Sequence, residues 1–118
     1  MLIDQVENVE AKTIDLDGVK DAKIRVLIAD EQGAPNFHMR EMIVAPGGYT
    51  PRHIHEWEHE CYIISGEGMM ETPEGPKPVK AGDFVFVAPN DDHQFQNTGD
   101  EELKFLCLIP KPATCCCK

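Results

Sequence analysis

The sequence predicts an all-β fold: a small barrel or sandwich in a single domain. Three observations point there. Short runs rich in β-branched and aromatic residues recur along the chain, each closed by Gly, Pro, Asn or Asp. Nine Gly and nine Pro are spread over the length, which leaves little room for long helices. The 118 residues, 42% hydrophobic, suffice for one core and no more.

The elements follow in order. Residues 1–22 are mixed and acidic, with a turn at Asp17-Gly18, and read as an N-terminal segment. Lys23 to Ala29 reads as a strand, turning at Glu31 to Asn36. Phe37 to Ala45 reads as a second strand, with Phe37, Met39, Glu41 and Ile43 on one face and His38, Arg40, Met42 and Val44 on the other. Pro46-Gly47-Gly48 reads as a turn. A strand carrying His53 and His55 follows, then His59 to Ser65, Met69 to Thr72, Lys77 to Lys80, the continuous apolar run Phe84 to Ala88, His93 to Asn97, and Glu102 to Ile109. Pro110 and Pro112 end the last strand. The barrel is expected over 23–110 and a flexible cysteine-rich tail over 111–118.

Charge and composition exclude several roles. A net charge of −10 disfavours binding to a phosphate backbone, so no nucleic-acid partner is expected. No apolar run approaches the roughly 20 residues of a membrane span, and the start Met1 to Glu7 is no signal peptide. A cytoplasmic location is the expectation. The five cysteines (Cys61, Cys107 and the run Cys115-Cys116-Cys117) are an odd number and do not look like a disulfide framework.

The chemistry concentrates between Gly47 and Glu60. His53 and His55 are two apart, so on a strand both imidazoles face one side and can grip one metal ion. His59 follows by four residues, and His93 comes later, after Gly82, a strand and Pro89. His59 and Glu60 are neighbours, and a regular strand directs only one of them inward.

This pattern resembles the two motifs of the cupin family. Gly47, His53, His55, Glu60 and Gly66 match the first; Gly82, Pro89, His93 and Asn97 match the second. The turn in the second is one residue short of the common form, and Asp91 stands about where a Gly is usual. The likeness runs over roughly 37–109 and implies a jelly-roll β-barrel with a metal inside. In the commonest pattern the third ligand is the glutamate, here Glu60. The runs Ala34 to Arg40, Pro46 to Gly48, His53 to Glu60 and Phe105 to Lys111 are similar to small four-histidine, manganese-type members. That closer likeness implies His53, His55, His59 and His93 as ligands, with Glu60 as a hydrogen-bonding partner behind a ligand imidazole. It implies Mn or Fe as the ion, with Ni, Cu or Zn as alternatives, and positions left open for substrate.

The remaining implications concern the pocket and the reaction. Phe105 and Cys107 share a face of the last strand and are expected to wall the pocket, with Met42 and Ile64; Arg40 is a candidate anchor for an anion. Arg52 alternates with His53 and is expected in an exposed salt bridge, Trp57 over the barrel rim, and His38 away from the metal. The likeness implies an O₂-using, dioxygenase-like oxidoreductase that cleaves an apolar unsaturated substrate. The alternatives are a non-catalytic binding cupin and a metal-dependent sugar or keto-acid isomerase. It also implies a homodimer, with residues 1–30 in the contact. The triple cysteine reads as part of the tail, or as a thiol hook for Cu(I) or Zn.

Overall fold

Burial alternates along the last strand, and this alternation fixes which side of the sheet is inside. In β9 (Leu103–Pro110), Leu103, Phe105, Cys107 and Ile109 are buried and the residues between them are half-exposed. The computed structural model describes residues 1–111. The other strands are β1 (Lys12–Thr13), β2 (Lys20–Ile28), β3 (Phe37–Tyr49), β4 (His59–Ser65), β5 (Glu67–Thr72), β6 (Gly75–Lys80), β7 (Phe84–Val87) and β8 (Gln94–Gln96). All pairings are antiparallel. The main path runs β6-β5-β8-β3-β9-β4-β7, with β2 on β3 and β1 on β2.

The 13-residue β3 joins the two halves of the curled sheet. Its first part pairs with β9 from Phe37↔Pro110 to Val44↔Leu103, and its end pairs with β8 at Tyr49↔Gln96. The sequence suggests a turn at Pro46-Gly47-Gly48, but the chain stays extended through Tyr49. Gly47 takes a left-handed φ of 80°, a local kink that glycine tolerates without steric cost. The amides of Gly47 and Asn97 then donate to Asn97 and Gly48 carbonyls and carry the pairing across the kink.

The core lies on the concave face. Val44, Ile63 and Leu103 are fully buried, with Phe105, Ile109, Met42, Phe95 and Val87 around them. Each large apolar side chain so removed from water contributes about 1.5–3 kcal/mol. On β3 it is the His38, Arg40, Met42, Val44 face that points inward, although Glu41 and Ile43 on the other side are also covered. Glu41 is held there by Arg25 at 2.7 Å.

Two further expectations are adjusted. The chain before Lys23 already joins the sheet: β2 begins at Lys20, β1 pairs with it, and Ile14 is buried in the core. The Phe84 to Ala88 run is a strand over Phe84–Val87, but only Val87 is buried; Phe84 is 85% exposed and Phe86 60%. Phe84 and Phe86 project from the face of β7 turned away from the core. The cysteines at 115–117 lie outside the described residues.

Candidate metal centre

Four histidines converge at one end of the barrel, but they arrive on different kinds of backbone. His59 opens β4, a regular strand, and alternation turns His59, Cys61 and Ile63 inward while Glu60, Tyr62 and Ile64 face out. His53 and His55 do not sit on a strand, contrary to the reading of a two-histidine strand. The chain between Tyr49 and His59 is irregular, and its one strand-like contact is an isolated bridge between His53 and His93. That bridge is reciprocal, His53 N–H to the His93 carbonyl and His93 N–H to the His53 carbonyl, each 3.0 Å. The amide of Asn90 donates to the His55 carbonyl at 2.6 Å, and Arg52 pairs with Asp92 at 2.7 Å. The loop carrying His93 thus clasps the loop carrying His53 and His55.

The rings meet closely. Centroids are 5.1 Å apart for His55 and His59, 5.2 Å for His55 and His93, and 4.9 Å for His59 and His93. One nitrogen from each of His55, His59 and His93 lies within 4.8 Å of the others, the span of a single ion's ligands. His53 stands at the edge of this group, its ring 4.7 Å from His55 and 6.2 Å from His93, and it is half-buried where the other three are buried. Trp57 stacks on His55 at 4.5 Å with planes 9° apart and fixes that ring from behind.

The donor set fits a divalent transition ion. The Nε2 atoms of His55 and His59 are buried without a hydrogen-bond partner, a costly state that coordination would relieve. His93 donates from Nδ1 to the Asp91 carbonyl at 2.9 Å, which leaves its Nε2 free to ligate. Burial, then repulsion from the neighbouring imidazoles, pushes His55 down to about 4. His53 and His93 also lie below the ordinary histidine range, chiefly through burial. These three rings are therefore neutral near pH 7, as metal ligands must be.

A small cavity opens beside His53, His59 and His93, walled by Met42, Val87, Phe95 and Phe105 on the apolar side and by Arg40, Cys61 and Cys107 on the polar side. Met42, Phe105, Cys107 and Arg40 are among the residues that line it. Ile64 is not: it is 42% exposed on the outer face, and Ile63 is the residue that points in. Glu60 likewise faces outward beside Phe86 and Leu108, so strand alternation rules out its expected place behind a ligand imidazole. Cys107 stands there instead, with Sγ 3.1 Å from His59 Nδ1. Arg40 Nη2 donates to the same sulfur at 2.9 Å. Hydrogen bonding from the Cys61 thiol, then from His59, with the Arg40 charge, draws the Cys107 thiol well below the ordinary thiol range. Cys61 is held well above it. Cys61, Val87 and Phe95 are wall residues that sequence reading missed; Cys61 shares the parity of His59, which was signal enough.

His38, buried on β3, lies 3.3 Å from Asp30. Asn97, the last residue of the second motif, is structural: its amide donates to the Val44 and Glu101 carbonyls and accepts from Gly99 N–H. Gly66, the last of the first motif, has φ 83°, and a Cβ there would collide with the Glu102 carbonyl.

Comparison with known proteins agrees with this geometry. An oxalate-binding protein of Thermotoga maritima is 39% identical over 69 residues, 58% of this chain and 57% of that protein. A glucose-6-phosphate isomerase of Thermococcus onnurineus is 36% identical over 73 residues, 55% of this chain and 39% of that one. The chain thus spans less than two thirds of these relatives' length. Among solved structures, the polyketide cyclase RemF of Streptomyces resistomycificus superposes with a TM-score of 0.88 at 31% identity, over 93% of this chain and 79% of that one. A predicted oxalate decarboxylase of Thermotoga maritima gives 0.82 at 27% identity, over 92% of this chain and 98% of that one. These likenesses support a jelly-roll β-barrel. The family model of the cupin domain matches residues 40–109, and the chain belongs to the cupin family.

Proposed function

We propose that this cupin is a metal-dependent, O₂-using oxidoreductase of the dioxygenase type, acting on an apolar unsaturated substrate. The observation that carries the reading is the buried group of His55, His59 and His93, of which His59 and His93 line a largely apolar cavity. His53 completes the ligand set from its half-buried position. A bound Mn or Fe would supply the redox and Lewis-acid chemistry; Ni, Cu or Zn fit the same imidazoles. Burial keeps His53, His55 and His93 neutral, and Phe105, Phe95, Met42 and Val87 exclude water from the substrate's side. The test is oxygen consumption by the Mn and Fe forms across apolar alkenes and dihydroxylated aromatics, against metal-free protein and His93→Ala. Consumption equal in all samples defeats the proposal.

A second reading has its own observation. Arg40 is a buried cation in the cavity wall, and two of the similar proteins bear names referring to oxalate. Binding or turnover of a small carboxylate would use it. Calorimetry with oxalate and other short acids, on wild type and Arg40→Met, separates the two readings.

A homodimer in contact through residues 1–30 belongs to the same proposal; Leu2, Ile3, Val26 and Ile28 stand exposed there. So does a reducing, cytoplasmic setting, which suits Cys61 and Cys107 as unbonded thiols opposite one another on β4 and β9. Among the described residues no helix is long and apolar enough to cross a membrane.

A further inference from the structure

The strand ladder sets a sulfur, rather than an oxygen, behind one of the metal-binding imidazoles. Cys107 is buried on β9 between Phe105 and Ile109, directly across from Cys61 on β4. Its Sγ lies 2.9 Å from Arg40 Nη2 and 3.1 Å from His59 Nδ1. A guanidinium only donates, so the sulfur accepts from Arg40. A neutral imidazole carries one ring proton, on Nδ1 or on Nε2. With the proton on Nε2, that N–H would be buried without a partner, because His59 Nε2 has none, and Nδ1 could accept only from the weak S–H donor of Cys107. With the proton on Nδ1, it is donated to the sulfur and the Nε2 lone pair is presented to the cluster of His55 and His93.

We propose that Cys107 is a positioning residue: as the acceptor for His59 Nδ1–H it fixes the tautomer and orientation of that ring, and Arg40 holds the sulfur in place. Its use in coordination rests on the reading of His59 as a ligand; the tautomer does not. His93 provides an internal comparison, since a backbone carbonyl, that of Asp91, does for it what the sulfur does for His59.

The experiment is a long-range ¹H–¹⁵N correlation spectrum of the metal-free protein at roughly pH 8, above the ordinary histidine range. It is recorded on wild type, Cys107→Ala and Cys107→Ser, with Zn(II) affinity measured alongside by chelator competition. In wild type both His59 and His93 should carry the proton on Nδ1. In Cys107→Ala the His59 signals should shift to a tautomer mixture while His93 stays put, and Zn(II) affinity should fall about 10- to 100-fold, the range for loss of an outer partner. Cys107→Ser, which keeps an acceptor and perturbs packing least, should restore much of both. An Nε2–H His59 in wild type, or unchanged tautomer and affinity in Cys107→Ala, overturns the proposal while leaving the metal reading intact. Wild type with the stated tautomer but no Zn(II) binding defeats the metal reading and leaves the positioning role standing.

Discussion

The two sides of the candidate metal centre are built differently. His59 and, behind it, Cys107 ride on β4 and β9, paired residue by residue from Glu60↔Leu108 to Ile63↔Phe105. His53, His55 and His93 ride on loops clasped by one isolated bridge, one amide–carbonyl bond to His55 and one ion pair. The ladder side inherits its geometry from strand alternation and from the core beneath it. The loop side must be held by specific contacts: the stacked Trp57, the Asp91 carbonyl, and Thr50, whose hydroxyl accepts from Phe95 N–H. A rigid wall facing a clasped loop lets three rings meet with one half of the site free to adjust.

The largest test of this contrast removes ligands from each side. His59→Ala on the ladder, and His55→Ala or His93→Ala on the loops, should each abolish Zn(II) retention through gel filtration, read as metal per chain by elemental analysis. His53→Ala should be milder, keeping the ion with affinity lowered about 10- to 100-fold, as when an outer partner is lost. Equal loss at all four positions would make His53 as firm a ligand as the other three.

Next in size, Phe105→Ala should cost about 3–5 kcal/mol in urea unfolding, because a buried ring stacked on Phe95 at 4.0 Å leaves a cavity under the ladder. Asn97→Ala should cost less, about 1–3 kcal/mol, through the buried Val44 carbonyl and the partly covered Glu101 carbonyl that it leaves unpaired.

Acid acts on the loop side first. His55 is held at about 4 in the folded chain, against 6.5 when unperturbed, so between those values the unfolded state binds more protons than the native one. The stability of the metal-free protein should therefore fall as pH drops through that window and level off below it. His55→Gln should flatten the slope, with urea midpoints against pH as the measurement. The smallest effect is expected from Arg52→Ala: the pair with Asp92 is at the surface, and such pairs contribute little. Its midpoint should barely move, with Zn(II) affinity unchanged.

Strand parity made much of this molecule legible before any coordinates. Once one of His59 and Glu60 points inward, Cys61 and Ile63 follow it, and Glu60, Tyr62 and Ile64 face out. The Ile64 and Glu60 assignments failed because that rule was not carried along the strand. The strand around His53 and His55 failed for a different reason. Pro51 and the irregular stretch beyond it break the period of two, and their closeness comes instead from the bridge to His93, a contact 40 residues away that no local pattern records. The kink at Gly47 was hidden because Pro-Gly-Gly serves both as a turn and as a bulge inside a long strand.

Trp57 is the chain's sole tryptophan, and it lies face to face with His55. Every photon of indole emission from this protein therefore originates beside the cation site. A paramagnetic ion such as Cu(II) or Mn(II) arriving there should dim that glow directly, so occupancy can be followed by eye of the fluorimeter, without labels and in unmodified protein.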